Sequence, residues 1–304
     1  MKIILSRKGF DSSKNKRGVP TGGGVPSPIM PGGRMISLPI PDPEEDRKYQ
    51  DVHYGQTKLG AIVCQLTKGK IKPSRQTHLD PDLRKDALPR LKGWRPLFGQ
   101  EKGAQTHLQK NEVGPGDLFL FYGWFRRTRK NTKSKRLEYD RDRSFPKGFH
   151  AIFGWLQVDY VINANRDCPP HRRWAAYHPH FQSGYGSKNT LYVARRRLTL
   201  PGLRQTPGGG VFPRLREELQ LTVPGSRKRS VWKLPGFFWP KRRLSYHPLR
   251  RRRRRWKKLK DGVELRTVAK GQEFVLDTDD YRKDKVFEWL RRLFRPGLEK
   301  ARKF

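Results

Sequence analysis

Two apolar, aromatic-rich runs in the middle of the chain constrain its fold most. Residues 118–122 read LFLFY and residues 149–158 read FHAIFGWLQV. Their aromatic and β-branched content, and the Gly-Pro-Gly-Asp turn that precedes the first run, predict two β-strands. A basic stretch separates them, so we expect a hairpin, with residues 191–194 as a third strand.

The remaining elements predict an α+β fold. The apolar run at residues 3–5 predicts a buried strand close to the N-terminus, and residues 35–40 predict another. Apolar residues at helical spacing between Val286 and Phe294 predict a C-terminal helix. We therefore expect one domain over residues 1–304. Its core is either a mixed or antiparallel β-sheet or a PUA-like barrel, with peripheral helices and long basic loops.

The net charge restricts the partners of the chain. Lys and Arg number 68 against 28 Asp and Glu, which gives a net charge of +40. Such an excess calls for an acidic partner, and nucleic acid is the usual one. No apolar stretch approaches the roughly 20 residues of a membrane span, so no membrane partner is expected. The two cysteines fit a cytoplasmic location and exclude a Cys-rich zinc site.

Two basic tracts, near residues 126–143 and 250–260, concentrate this charge. The first has nine Lys and Arg among eighteen residues, beginning with Arg126 and Arg127. The second opens with six consecutive arginines: Arg250, Arg251, Arg252, Arg253, Arg254 and Arg255. Arms of this kind follow a phosphate backbone, and Trp256 beside them is expected to stack on a base. A solubilising surface is the alternative.

The segment after the first strand is a candidate ligand loop. Residues 6–13 combine cations, hydroxyls and one carboxylate at a strand end, where ligand sites often lie. We expect Arg7 and Lys8 to attract a phosphate and Asp11 to orient or deprotonate the reacting group. An ordinary surface loop is the alternative.

The HLDPDL segment is a candidate catalytic and metal site. In an extended segment His78, Asp80 and Asp82 share one face, and one imidazole with two carboxylates can hold a divalent cation. A His-x-Asp pair with a distant histidine is also the pattern of non-haem iron oxygenases. Candidates for that third ligand are His150, His178, His180 and His247. The alternative is a turn built on Asp80-Pro81 and Asp82.

The GWRPLFGQ segment offers groups that could recognise a nucleotide. Trp94 could stack on a base, Arg95 could clamp a phosphate and Gln100 could read a base edge. The alternative is that the apolar residues of this segment, Trp94 among them, belong to the core and that Arg95 is an ordinary surface ion.

The order of short motifs along the chain resembles a known family. The motifs are HLDPDL, GWRPLFGQ, GDLFLFYGWFR, HAIFGWLQV, HPH, NTLYVA, LPGFF, LSYHP and GQEFVLD, and the resemblance begins at the N-terminal segment. They are similar to the third nucleotide-modification-associated domain family of bacteria and phages. The resemblance implies a role in DNA base modification, together with partner modification enzymes. The two arginine-rich tracts depart from the family pattern.

Three functions follow, from different classes. The first is a DNA base-modification protein that binds nucleic acid, DNA in preference to RNA, through its basic tracts. The second is a non-catalytic reader of modified bases or structured RNA. The third is a metal-dependent nuclease. A clustered Asp/His set with shifted pKa values would favour an enzyme, whereas an aromatic cage without such a set would favour the reader.

Overall fold

The computed structural model describes residues 1–10, 24–182, 186–239, 244–247, 255–268, 273–279 and 283–295. The strands are β1 (Lys2–Arg7), β2 (Ser27–Ile29), β3 (Ile40–Pro41), β4 (His53–Tyr54), β5 (Thr57–Lys58), β6 (Thr77–His78), β7 (Leu97–Gln100), β8 (Leu118–Lys130), β9 (Leu137–Tyr139), β10 (Phe149–Asn163), β11 (Thr190–Ala194), β12 (Gly209–Val211), β13 (Val231–Leu234), β14 (Trp256–Leu259), β15 (Gly262–Arg266) and β16 (Glu273–Asp277). The α-helices are α1 (Leu59–Leu66), α2 (Lys102–Lys110) and α3 (Lys283–Phe294). Short 3-10 helices cover Tyr49–Asp51, Lys85–Ala87, Pro170–Ala175, Pro179–Phe181, Glu217–Leu219 and Gly236–Phe238.

A mixed sheet organises the fold. Its main path runs β16-β1-β8-β10-β11-β7, with β2 and β9 added to β8 and β12 added to β10. Strand β1 is parallel to β8, and the other neighbours along the path are antiparallel. Over the described residues the sheet stays open. The predicted α+β class with a mixed sheet is therefore confirmed, and the core is not the barrel offered as its alternative.

The central hairpin is the pair predicted from the aromatic runs. Strands β8 and β10 pair antiparallel from Leu118 opposite Gln157 to Phe125 opposite Phe149. Both strands extend beyond the predicted runs. Strand β8 continues through Arg126 to Lys130 and there pairs with β2 and β9, and β10 continues to Asn163. The first basic tract therefore begins inside a strand, and the residues between β8 and β9 form the connection.

The N-terminal strand is buried, as its apolar run predicts. Ile3, Ile4 and Leu5 are inaccessible to solvent because β1 lies between β16 and β8. The strand predicted at residues 35–40 is largely wrong. Leu38 donates its backbone N–H to the Ser27 hydroxyl at 3.0 Å, so this part of the segment is fixed by a side chain rather than by a strand ladder.

The C-terminal helix is confirmed as α3. Val286, Leu290 and Leu293 are buried at helical spacing and join the main core. In the part of the chain that the structure describes, no helix is long and apolar enough to cross a membrane.

Candidate active site at the edge of strand β7

Polar segments cover the outer edge of β7, which is the last strand of the main sheet path. Asp82 and Leu97 exchange two backbone hydrogen bonds of 2.9 Å. The carboxylate of Asp80 accepts the backbone N–H of Gly99 at 2.7 Å. The ring of His180 covers Gly99 so closely that an added Cβ would stand 2.2–2.5 Å from three ring atoms. A residue without a side chain is therefore required at this point of the strand.

A histidine–aspartate cluster forms where these segments meet. We call His78, Asp80 and His180 the central trio; one potential ligand atom from each lies within 4.8 Å of the other two. The trio joins β6, the segment after it and a 3-10 helix about a hundred residues later in the chain. The rings of His78 and His180 are 5.6 Å apart, and His180 is 3% exposed. The fold thus selects His180 from the four histidines considered as the third member.

Neighbouring side chains orient both imidazoles of the trio. His78 Nδ1 lies 2.8 Å from Glu45 Oε1, so the carboxylate accepts the ring N–H. His180 Nδ1 lies 2.5 Å from Asn189 Oδ1. The amide nitrogen of Asn189 donates to the backbone carbonyls of Ala164 and His180, at 3.2 and 2.6 Å. Because Asn189 Oδ1 must then accept, His180 carries its proton on Nδ1.

The pKa values of the trio are shifted in different directions. Burial alone would raise the pKa of the Asp80 carboxyl, but the contact from His178 and the charges of the surrounding imidazoles lower it to about 2. Burial lowers the pKa of His180 to about 3. Burial also acts to lower the pKa of His78, but Glu45 and the nearby charge of Asp80 outweigh it and raise that pKa. Near neutral pH the cluster therefore holds a carboxylate beside a neutral imidazole.

His178 contacts two members of the trio, Asp80 and His180. Its Nε2 atom lies 3.4 Å from Asp80 Oδ1, an ion-pair distance without hydrogen-bond alignment. Its Nδ1 atom accepts the backbone N–H of His180 at 3.4 Å. The residue is fully buried, so it packs Asp80 and His180 against each other.

Asp82 does not join the trio, so the structure brings together only His78 and Asp80 of the predicted set of His78, Asp80 and Asp82. Strand β6 ends at His78, and the Asp80 N–H bonds back to the His78 carbonyl at 3.0 Å, so the alternation of an extended strand is lost. Asp82 is instead held by Arg90 through two bonds of 2.6 Å. Tyr177 adds a hydroxyl bond of 2.5 Å. Asp82 is thus a structural carboxylate.

Gln100 and Lys8 meet at a second buried carboxylate, that of Glu273. Gln100 Nε2 donates to Glu273 Oε1 at 2.7 Å, and Lys8 Nζ donates to the same oxygen at 3.1 Å. Lys8 also lies over the ring of Phe98, 4.3 Å from its centroid. The two polar groups predicted to contact a ligand are therefore engaged within the fold.

The other residues predicted around this segment also have partners in the protein. Trp94 donates its indole N–H to the Tyr177 hydroxyl at 2.7 Å, with the Arg90 guanidinium over its ring. Arg95 pairs with Asp159 at 2.6 Å. Arg7 lies in β1, and its charge helps to lower the pKa of His150 to about 3, chiefly an effect of burial.

The histidines left out of the cluster have partners elsewhere. Trp232 donates its indole N–H to His150 at 3.1 Å, and His247 accepts the Val268 N–H at 3.0 Å.

The described part of the basic tracts is partly neutralised. Arg127 pairs with Asp142 at 2.6 Å, and Arg126 donates to the Asp140 carbonyl at 3.0 Å. Arg255 donates to two backbone carbonyls of the neighbouring β15 segment. Trp256 is 5% exposed and donates its indole N–H to the His247 carbonyl. Its ring therefore belongs to the core, and the solvated arm expected around it does not include it. Asp11 and Arg250–Arg254 lie outside the described residues.

Two residues of the site escaped sequence reasoning. Glu45 lies in an acidic turn, and Asn189 opens the NTLYVA segment. Neither has a spacing that marks it as a partner of a histidine. An acidic residue in a turn or an asparagine before a strand is too common to identify without the contacts.

These features define a mixed α+β protein with a buried histidine–aspartate cluster at one sheet edge. The family model for nucleotide modification associated domain 3 matches residues 2–277, so the chain belongs to this family. Comparison with curated proteins and with solved structures gives no match. The family name supports a role in nucleotide modification, as the motif order predicts.

Proposed function

We propose that this protein is an enzyme that modifies bases in DNA, and that its chemistry takes place at the central trio of His78, Asp80 and His180. The convergence of these residues carries the proposal. Two segments about a hundred residues apart in sequence place two imidazoles and a carboxylate within 4.8 Å. Titratable groups with pKa values pushed apart in a buried cluster are typical of reaction centres.

The nucleic-acid part of the proposal rests on charge. A net charge of +40 favours a polyanionic partner. Arg127 and Arg129 form ion pairs with acidic neighbours. The excess positive charge therefore comes from the other lysines and arginines. A polyanion held by such residues would bring its bases to the protein surface, and a modified base must leave its stack to reach a buried cluster.

The packing of the aromatic residues favours an enzyme over a reader of modified bases. Phe98, Phe119, Phe121 and Tyr192 contact one another with ring centroids 5.0–5.9 Å apart. All four are buried. These rings fill the core of the sheet, whereas a reader would turn such rings toward a bound base.

The test is mass spectrometry of nucleosides from cells that carry the wild-type gene, no gene, or the Asp80→Asn variant. We expect a modified deoxynucleoside that disappears in the last two. Asp261→Asn is the matched control, because Asp261 is an exposed carboxylate paired with Lys233; it should leave the product unchanged. Digesting DNA and RNA separately assigns the substrate. A product that persists in the Asp80→Asn strain would contradict the proposed site.

A further inference from the structure

The geometry points to a metal centre: His78, Asp80 and His180 bind one divalent first-row transition metal ion through two imidazole nitrogens and one carboxylate oxygen. This inference deepens the proposed function, on which its catalytic meaning rests, although metal binding can be measured without any substrate. Two histidines and one carboxylate form the ligand set that holds iron(II) in many oxygenases while leaving positions open for other ligands.

The proton positions favour the same nitrogen in both rings. Glu45 accepts the Nδ1 proton of His78, and Asn189 accepts the Nδ1 proton of His180. An imidazole that is neutral with its proton on Nδ1 carries its lone pair on Nε2. Metal-binding histidines usually donate their other ring N–H to a carboxylate or a carbonyl oxygen. The trio therefore has the outer hydrogen bonds that a metal site needs.

The Nε2 atom of His180 lies against Gly99, the residue whose N–H also holds Asp80. A Cβ placed on Gly99 would stand 2.4 Å from His180 Nε2. The N–H of the same Gly99 holds Asp80 Oδ1 at 2.7 Å. Two ligand atoms thus converge on one glycine of the edge strand, and this glycine leaves room for the ring.

The ligand atoms must draw closer when the ion binds. Metal bonds of about 2.0–2.2 Å place neighbouring ligand atoms about 3 Å apart, compared with separations of up to 4.8 Å in the trio. Rotation of the side chains can close this difference. His178 limits the rotation of Asp80, because its Nε2 lies 3.4 Å from Asp80 Oδ1 and the ring is fully buried. We assign His178 as a positioning residue rather than a ligand.

A second trio, Asp42, Glu45 and His78, shares one histidine with the first. It has two carboxylates and one imidazole, a harder set that suits magnesium or manganese better than iron or zinc. Glu45 already holds the Nδ1 proton of His78. One ion in the central trio leaves that hydrogen bond intact, whereas an ion in the second trio removes it. The two arrangements therefore predict different metal preferences and different mutational effects.

The test is metal binding by the full chain. The protein is stripped with a chelator and titrated with Co(II), followed by visible absorption, and with Zn(II) and Mg(II) by calorimetry. We expect one equivalent of Co(II) or Zn(II) and much weaker Mg(II) binding. Asp80→Asn and His180→Ala should each weaken binding at least 100-fold. Asn189→Ala should weaken it about 10–100-fold, because it removes only an outer hydrogen bond.

His107→Ala is the matched control. His107 is a half-buried histidine on α2 that contacts Ser245, outside the trio, so its loss should leave binding unchanged. Circular dichroism identifies variants that fail to fold, and for His180 the milder Asn189→Ala then serves as the measurement. Absence of tight Co(II) and Zn(II) binding by the wild type would overturn the inference. Loss of binding in Glu45→Ala with full binding in Asp80→Asn would assign the ion to the second trio and also overturn it. Tight binding in a protein that modifies no base would leave the metal centre in place and refute the proposed function.

Discussion

Gln100 on strand β7 donates a 2.7 Å hydrogen bond to Glu273 on strand β16, although these strands lie at opposite ends of the sheet path. The sheet is therefore curled, and its two edges are joined by side chains rather than by a backbone ladder. Lys8 on the segment after β1 completes the junction with a 3.1 Å ion pair to the same carboxylate. The central trio packs on Gly99, which immediately precedes Gln100 in strand β7.

The junction should make a large contribution to stability. Glu273→Ala would leave the Lys8 ammonium without its partner, and the Lys8 side chain is 11% exposed. A mostly buried charge that loses its partner costs about 3 kcal/mol or more. Denaturant unfolding at neutral pH measures the loss. Glu138→Ala, which breaks the exposed pair with Arg129, should cost far less, because solvent screens that pair. Equal effects of the two substitutions would show that the junction contributes little.

Gly99 should be essential to the site for steric reasons. Gly99→Ala places a methyl group 2.2 Å from the His180 ring, so the ring must move. We expect a loss of about 1–3 kcal/mol in the free energy of unfolding and a strong loss of base modification. Gly103→Ala is the matched control, because Gly103 lies in α2 with no atom within 4 Å of the added Cβ. That substitution should be neutral or stabilising by up to about 1 kcal/mol. A fully active, stable Gly99→Ala protein would contradict the close packing of the His180 ring on Gly99.

Part of this architecture follows from local sequence. The aromatic runs predict β8 and β10, and the spacing of Val286, Leu290 and Leu293 predicts α3, because these patterns are set by side-chain direction along one element. The strand predicted at residues 35–40 is largely wrong. The apolar side chains of this segment are buried, as in a strand, but the Leu38 N–H bonds to a serine hydroxyl rather than to a neighbouring strand.

The candidate site was predicted in part. His78 and Asp80 stand two residues apart, so their pattern is visible in the sequence. His180 comes from a distant segment and is selected by its packing on Gly99, which only the tertiary structure defines. Asp82 stands in the same motif, but its ion pair with Arg90 is recognisable only from the 2.6 Å contacts between them.

The two aspartates of the HLDPDL segment should respond differently to the same change. Asp82→Asn removes the charge that compensates Arg90, whose side chain is 4% exposed, and should cost about 3–5 kcal/mol. Asp80→Asn keeps an oxygen for the Gly99 N–H and should cost less, about 1–2 kcal/mol, while abolishing modification. Unfolding curves and nucleoside analysis of both variants separate stability from function. A stable but inactive Asp82→Asn protein would reverse the two roles.

Acid should destabilise the fold partly through His150. Burial, with the charges of Arg7 and Arg229, lowers the pKa of His150 to about 3. In the unfolded state the pKa of this histidine is near 6.5, so the unfolded chain binds a proton at pH values where the folded protein does not. The stability that depends on neutral His150 is therefore fully present above about pH 6.5 and is lost as the pH decreases from there toward 3. One such histidine removes about 2 kcal/mol between pH 7 and pH 5.

His150→Asn tests this assignment. Asparagine can accept the Trp232 N–H that His150 Nδ1 accepts at 3.1 Å, but it does not titrate. The variant should lose about 2 kcal/mol less than the wild type between pH 7 and pH 5, measured by urea unfolding at both pH values. An unchanged difference between the two pH values would show that His150 is not the group responsible.

The last prediction concerns the consecutive arginines. Affinity for duplex DNA should fall steeply with salt, with a slope of log K against log salt near −0.9 for each neutralised phosphate. Replacing Arg250–Arg254 by serine should flatten this slope by several units. Arg255 is kept because it donates to backbone carbonyls of the fold. The control is Arg127→Ser with Arg129→Ser, since both arginines already pair with acidic residues; this double change should alter the slope by less than about one unit. Fluorescence anisotropy over a range of salt concentrations gives both slopes. Equal slopes for the wild type and the Arg250–Arg254 variant would show that this tract does not contact phosphates, and the net charge would then have to act through the other basic residues.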